Sequence, residues 1–153
     1  MTCKGIYKGT KAKIIYEDAV WYLLEFDEIP EIDEVINSSS ICCGEDHSLI
    51  LDQQGKVWAF GLNLNGQLGL GHNKTVDKPT KIPVLSREKI TLVKSEGNIN
   101  FAINEQGDIF MWPWGNKEGV HYEPNKLQMK NIREKFTSIA CGHNFALFLA
   151  ESG

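Results

Sequence analysis

The sequence predicts an all-β fold of repeated antiparallel sheets, and three observations predict it. Runs of β-branched, aromatic and aliphatic residues last only five or so positions before a turn signal, as in "HSLIL" (47–51) and "KVWAF" (56–60). The turns "DQQG" and "NEQG" each end in a glycine just ahead of the returning strand, where a left-handed backbone closes a hairpin at low steric cost. The pattern also recurs. Residues 41–61 align without gaps on residues 93–113, placing Gly55 on Gly107, Val57 on Ile109, Trp58 on Phe110 and Phe60 on Trp112, an offset of 52 residues.

Taken in chain order, "KAKIIY" (11–16) and "AVWYLLEF" (19–26) predict an N-terminal hairpin over 12–26. The acidic "DEIPEIDEV" (27–35) reads as linker, with Pro30 barring a central strand. This divides the chain into residues 1–33 (hairpin and linker) and 34–153 (repeats at 34–87 and 88–134, and a half-repeat at 135–153). In the half-repeat, Cys141-Gly142 matches Cys43-Gly44, Phe145 matches His47, Leu147 matches Leu49 and Leu149 matches Leu51. A period of about 50 residues of antiparallel strands is the pattern of propeller blades, small sheets that each need neighbours to bury both faces. Face alternation then predicts that Leu49, Leu51, Val57, Ile103, Ile109, Leu147 and Leu149 are buried between sheets.

The first unit carries a specific set of motifs: Cys43-Gly44 with His47-Ser48, the turn glycine Gly55, Trp58 and Gly61, then Asn63, Gly66-Gln67-Leu68-Gly69 and Gly71. Lys78-Pro79-Thr80 and Ile82-Pro83 follow. On these residues the chain resembles the regulator of chromosome condensation family from about residue 35 to 153. The second unit keeps the hairpin but carries "WPWGNKEGVHYEPNKL" (112–127) in place of the glycine run, so an irregular blade is expected there. The resemblance implies about two and a half repeats of a partial propeller of the seven-bladed type, with the N-terminal hairpin as an addition.

Composition narrows the functional classes. With 42% hydrophobic and 24% charged residues the 153-residue chain reads as an ordinary globular protein. A net charge of −4 argues against nucleic acid or an anionic membrane as partner, both of which reward clustered Lys and Arg. The N-terminus shows no apolar signal segment, which reads as an intracellular address, nuclear or cytoplasmic. The four cysteines (3, 42, 43 and 141) lack C-x-x-C spacing, and Cys43 and Cys141 read as small buried hydrophobes. Adjacent Cys42 and Cys43 should point to opposite faces of a strand.

No catalytic, cofactor or metal site emerges. The run Gly66, Gly69, Gly71 reverses the dinucleotide fingerprint and precedes no helix that would hold phosphate. His47, His72, His121 and His143 lie at unrelated repeat positions, and His47, standing where Phe145 stands in the third copy, reads as a hydrogen-bonded core residue. Ser48 lacks a G-x-S-x-G elbow. Trp112, aligned with Phe60, should be core.

A non-enzymatic module that binds another protein is therefore expected. Trp114 and Tyr122 are the candidate aromatic anchors, and Glu31, Asp33 and Glu34 a candidate acidic strip for a basic partner. The resemblance implies as runner-up nucleotide exchange on a Ran-like small GTPase, against which stands the lack of a long wedge-like insertion, and as a third reading an enzyme inhibitor, against which stands the absence of a signal segment. A ring needs about four to eight blades. Open edges are thus expected, to be met by self-association or by repeats missing from a fragment of a larger protein. The N-terminal hairpin and residues 136–149 offer two strands each for one mixed blade, within one chain or across two.

Overall fold

The computed structural model describes residues 4–7, 10–17, 20–25, 36, 38–116, 119–128, 134–142 and 145–153. It is an all-β, partial propeller built from antiparallel sheets. At the N-terminus β1 (Lys4–Tyr7), β2 (Thr10–Glu17) and β3 (Val20–Glu25) form a three-stranded meander. The expected hairpin is therefore enlarged by one strand: "KGIY" is short and interrupted by glycine, yet its backbone pairs with β2 from Lys4 opposite Lys13 to Tyr7 opposite Thr10.

The first blade is β4 (Ser38–Cys43), β5 (His47–Asp52), β6 (Val57–Gly61) and β7 (Val76–Lys81), hydrogen-bonded in that order. The second comprises β8 (Ile90–Glu96), β9 (Ile99–Asn104) and β10 (Ile109–Trp112). After β10 the chain makes a small separate hairpin, β11 (Trp114–Asn116) with β12 (Gly119–His121). It then returns as β13 (Asn125–Lys126), the outer strand beside β10. The third sheet has two strands, β14 (Phe136–Gly142) and β15 (Phe145–Ala150). β14 and β15 pair with each other, and β1 to β3 among themselves, so within one chain the described residues form no mixed blade.

The three opening hairpins share one register. Cys43 faces Ser48, Ser95 faces Asn100 and Cys141 faces Ala146, and each first strand shifts register at its start, at Ser38/Ser40, Ile90/Leu92 and Phe136/Ser138. The hairpin turns are made by the same chemistry twice. Asp52 Oδ1 accepts from the amides of Gln54 (2.9 Å) and Lys56 (2.8 Å), and Asn104 Oδ1 accepts from those of Gln106 (3.1 Å) and Asp108 (2.8 Å). Gly55 and Gly107, at φ 78° and 82°, complete the turns in the left-handed region that glycine tolerates. Between the first two blades a short 3-10 segment, Val84–Arg87, is tied down by Lys56, whose Nζ donates to the carbonyls of Ser86 (2.8 Å) and Glu88 (3.0 Å).

The core lies between sheets. Leu49, Leu51, Val57 and Ala59 of the first blade pack on Ile90, Val93, Ala102, Phe110 and Trp112 of the second. Phe101, Ile103 and Ile109 of the second pack in turn on Ile139, Phe136 and Phe148 of the third. On the other side of the first blade, Ile36, Ile41, Ile50, Trp58 and Phe60 form a further buried cluster. Trp58 satisfies its indole N–H there by donating to Asp52 Oδ2 at 2.9 Å. Each fully buried Leu or Ile in these layers contributes about 1.5–3 kcal/mol.

Two of the seven residues expected in the core are not there: Leu147 is 63% exposed and Leu149 53%. Their strand has the predicted alternation, but no described sheet lies over that face, so the cover that buries Leu49 and Leu51 is missing. Cys42 and Cys43 do point to opposite faces, packing on different clusters. Cys43 and Cys141 are half-buried at the margins of their layers rather than fully enclosed, because the strands that carry them come first in each sheet. Burial nevertheless raises the Cys141 thiol pKa, with the Glu96 charge adding to the rise and Lys94 opposing it.

Candidate functional site: the loop end of the blades

One end of the sheets gathers the long loops. Gly61, the last residue of β6, stands opposite His47, so the segment 62–75 leaves beside the β4–β5 turn. Glu45 and Leu62 anchor this end by donating backbone bonds to the carbonyls of Gly97 and Asp46, both at 2.9 Å. Trp112, the last residue of β10, pairs with Asn100, which brings residues 113–124 to the same end.

The 62–75 loop is shaped by two fully buried amides. Asn63 Nδ2 donates to the carbonyls of His72 (2.8 Å) and Lys74 (3.0 Å), while its Oδ1 accepts from the Leu68 amide (2.9 Å). Gln67 Oε1 accepts from the Asn65 amide (2.9 Å), and its Nε2 reaches across to Asn98 Oδ1 (3.0 Å) in the second blade. The glycine run answers to packing rather than to phosphate. A Cβ on Gly69 (φ 70°) would stand 2.8 Å from the Trp112 indole nitrogen, and one on Gly66 (φ 78°) would run into the ring of Tyr122. These glycines let the loop of one blade lie directly on the aromatic residues of the next.

Beneath the loops lies a polar network that crosses between blades. Asn100 Nδ2 donates to the carbonyls of Gln67 (2.8 Å) and Trp112 (3.3 Å), so its Oδ1 is the acceptor left for Ser95 Oγ (2.7 Å) and His47 Nε2 (2.6 Å). The Trp112 indole N–H also donates to the Gln67 carbonyl, at 3.1 Å. With Asn100 oriented in this way, His47 must carry its proton on Nε2, leaving a buried Nδ1 without a partner. Burial lowers the His47 pKa; its bond to Asn100 and the charge of Asp46 oppose that shift. The imidazole is therefore a neutral structural donor, and the aromatic aligned with it in the third repeat, Phe145, holds no such bond. The sequence reading found His47 and Trp112 as core and named Asn63 and Gln67 as motif residues without their roles, but missed Asn100 and Ser95.

At the surface of this end, Trp114 and His121 stack across the β11–β12 hairpin with ring centroids 3.9 Å apart and planes within 10°. Leu64, Ile99 and Val120 are exposed there. Glu45 and Glu123 are exposed and Asp46 and Glu96 half-exposed, outweighing the exposed Lys74. Of the sequence candidates, Trp114 belongs to this surface. Tyr122 is half-buried, turned onto Gly66. Glu31, Asp33 and Glu34 lie outside the described residues, as does His143. Among the described residues no three His, Cys, Asp or Glu side chains converge as a metal centre requires.

Sheets stacked side by side, each repeating the register of the last and bridged by loop-end polar residues, define a β-propeller repeat protein. Sequence comparison gives the particular family: models of the regulator of chromosome condensation (RCC1) repeat match residues 54–103 and 39–67, and the chain is an RCC1-repeat protein. It is 31% identical over 124 residues to the ultraviolet-B receptor UVR8 of Arabidopsis thaliana, covering 77% of this chain and 28% of that protein. It is 37% identical over 79 residues to the human RCC1-like G exchanging factor-like protein, covering 51% of this chain and 17% of that one. The crystal structure of human WBSCR16 superposes with a TM-score of 0.76 at 22% identity, over 94% of this chain and 43% of that one. The chain thus spans less than a third of the length of each of these two curated relatives.

Proposed function

We propose that this chain is a non-enzymatic interaction module whose loop end docks a protein partner with a basic surface. The observation that carries the reading is the composition of that end. Exposed Leu64, Ile99 and Val120 and the Trp114–His121 stack lie among Glu45, Asp46, Glu96 and Glu123. Apolar anchors set in an acidic rim suit a partner that offers aliphatic side chains among Lys and Arg, because the anchors supply affinity and the charges supply steering. The polar network below supports the same reading, since it holds the loops without spending its groups on chemistry: the His47 imidazole is buried, neutral and engaged by Asn100.

Fluorescence anisotropy with Lys/Arg-rich peptides carrying interspersed Leu or Ile tests this. Binding that weakens with salt and is lost in Leu64→Asp and Val120→Asp is expected; no binding, or binding indifferent to both substitutions, rejects the site. Hydrolase or transferase turnover by the purified chain would reject the non-enzymatic half of the reading.

The alternative, nucleotide exchange, draws on similarity to the G exchanging factor-like protein, of which this chain spans 17%. Among the described residues of the loop end, none favours it over plain docking. Release of labelled GDP from a Ran-like GTPase should run at its spontaneous rate when the chain is added, and acceleration would promote the exchange reading.

A further inference from the structure

We propose that His72 is an acid-sensitive latch that holds the loop 62–75 in its docking shape and releases it when the ring takes up a second proton. The inference rests on the docking reading above and adds its regulation. Behind it lies a turn made by an unusual acceptor. Asp52 and Asn104 each take the backbone amide two residues ahead, Gln54 and Gln106, on a side-chain oxygen. His72 does the same with a ring nitrogen: the Lys74 amide donates to its Nδ1 at 3.1 Å. A backbone N–H only donates, so this Nδ1 carries a lone pair and the proton of the ring sits on Nε2.

A second donor at this nitrogen is equally fixed. Asn63 is fully buried, its Oδ1 accepts from the Leu68 amide at 2.9 Å, and its Nδ2 donates to the carbonyls of His72 (2.8 Å) and Lys74 (3.0 Å). The side-chain amide cannot turn over without losing those bonds, so a nitrogen that bears hydrogens stands 3.3 Å from His72 Nδ1. A hydrogen on Nδ1 would therefore point at two donors. Histidine is the side chain that ordinarily changes charge between pH 5 and 8, whereas the side-chain amide of Asn104 keeps its acceptor throughout. On the same loop, the Lys74 ammonium opposes a charge on the ring. From the segment that leaves β10, Glu123 lies against Gly71, whose amide donates to the Tyr122 carbonyl at 3.4 Å, and its carboxylate favours that charge. His72 is half-exposed, so the ring answers protonation by swinging into water while the sheets stay intact. What is released is the base of the loop, with Leu64 next to Asn63.

Nitrogen-15 NMR of the full chain, titrated from pH 8 to pH 5, tests the latch with His72→Asn and His72→Phe as variants. Asparagine offers the Lys74 amide an oxygen, as Asn104 does for Gln106, and has no proton to gain; phenylalanine offers nothing. In the parent, the Lys74 and Leu68 amides should lose exchange protection by about fivefold or more as His72 protonates, after correction for the intrinsic rate at each pH, while the amides of β5 and β9 keep theirs. His72→Asn should hold the protection across the range, and His72→Phe should lack it already at pH 8. Protection that survives protonation of His72, a decline that persists in His72→Asn, or a His72→Phe loop as protected as the parent's would each overturn the latch. Binding of the Lys/Arg-rich peptides should weaken about fivefold or more between pH 8 and pH 5 in the parent and not in His72→Asn, and equal weakening in both would overturn the regulatory role. Peptide binding absent at every pH rejects the docking reading and the regulatory role with it, whereas the amide titration still decides the latch.

Discussion

His47 and Asn100, 53 positions apart and in different blades, share a 2.6 Å hydrogen bond from Nε2 to Oδ1 in the interior of the molecule. The bond is one of several that converge on Asn100, whose amide also holds the backbone carbonyls of Gln67 and Trp112. Two blades and the loop of the first are thus joined through one side chain.

Replacing that side chain is correspondingly costly. Asn100→Ala removes the shared acceptor of the His47 N–H and the Ser95 hydroxyl and one donor from each of the Gln67 and Trp112 carbonyls, the Gln67 carbonyl keeping the Trp112 indole and Ser95 the longer 3.2 Å contact to His47, and a loss of about 2–4 kcal/mol in chemical denaturation is expected. A loss under about 1 kcal/mol would mean that water fills the gap without penalty.

Acid should loosen the same junction. Burial lowers the His47 pKa below its ordinary value, so between that value, about 6.5, and the lower folded one the unfolded chain binds the extra proton. Stability is full above the unfolded pKa and falls as the pH drops through it, levelling once the folded histidine also protonates. Urea midpoints measured from pH 8 to pH 5 should show the decline, and His47→Gln should flatten it; an unchanged slope in that variant would assign the effect elsewhere.

Glycine substitutions separate backbone preference from packing. Gly97 has φ 54° and open space around it, so Gly97→Ala should cost about 1 kcal/mol for the left-handed backbone alone. Gly69→Ala carries that cost and displaces the Trp112 indole as well, for a total of about 2–3 kcal/mol. Thermal melts of the two variants side by side give the comparison, and equal losses would contradict the contact.

Matched leucines should behave differently. Leu49→Ala opens a cavity between two blades and should cost about 2–5 kcal/mol. Leu147→Ala, whose side chain is exposed, should stay within about 0.5 kcal/mol of the parent in the same thermal melts.

That contrast also marks the limit of what the sequence discloses. Local patterns were legible: the turn glycines, the alternation along β5 and β9, and the shared register all follow from residues a few positions apart. Burial of Leu147 was misread because periodicity tells which face is apolar, whereas cover depends on a separate sheet. β1 went unseen because Lys4 and Gly5 carry no strand signal and the strand exists through its pairing with β2. Asn100 aligns with Ser48, so self-comparison gave no hint that it bridges two blades. Trp114 was found as an aromatic out of pattern, but its stacking on His121 depends on a hairpin closed only in three dimensions.

The three hairpins repeat one hydrogen-bond ladder although the intervals between them differ, from Ser38 to Ile90 and from Ile90 to Phe136. Most of the difference lies in the outer strand, 6 residues in β7 against 2 in β13, while the segments that leave β6 and β10 are of similar length although the second holds an entire extra hairpin. What those two segments contain is therefore decoupled from the pitch of the sheets. New sequence can be inserted there to alter what the loop end recognises while every ladder keeps its partners, which makes residues 113–124 the natural position for grafting a foreign binding loop.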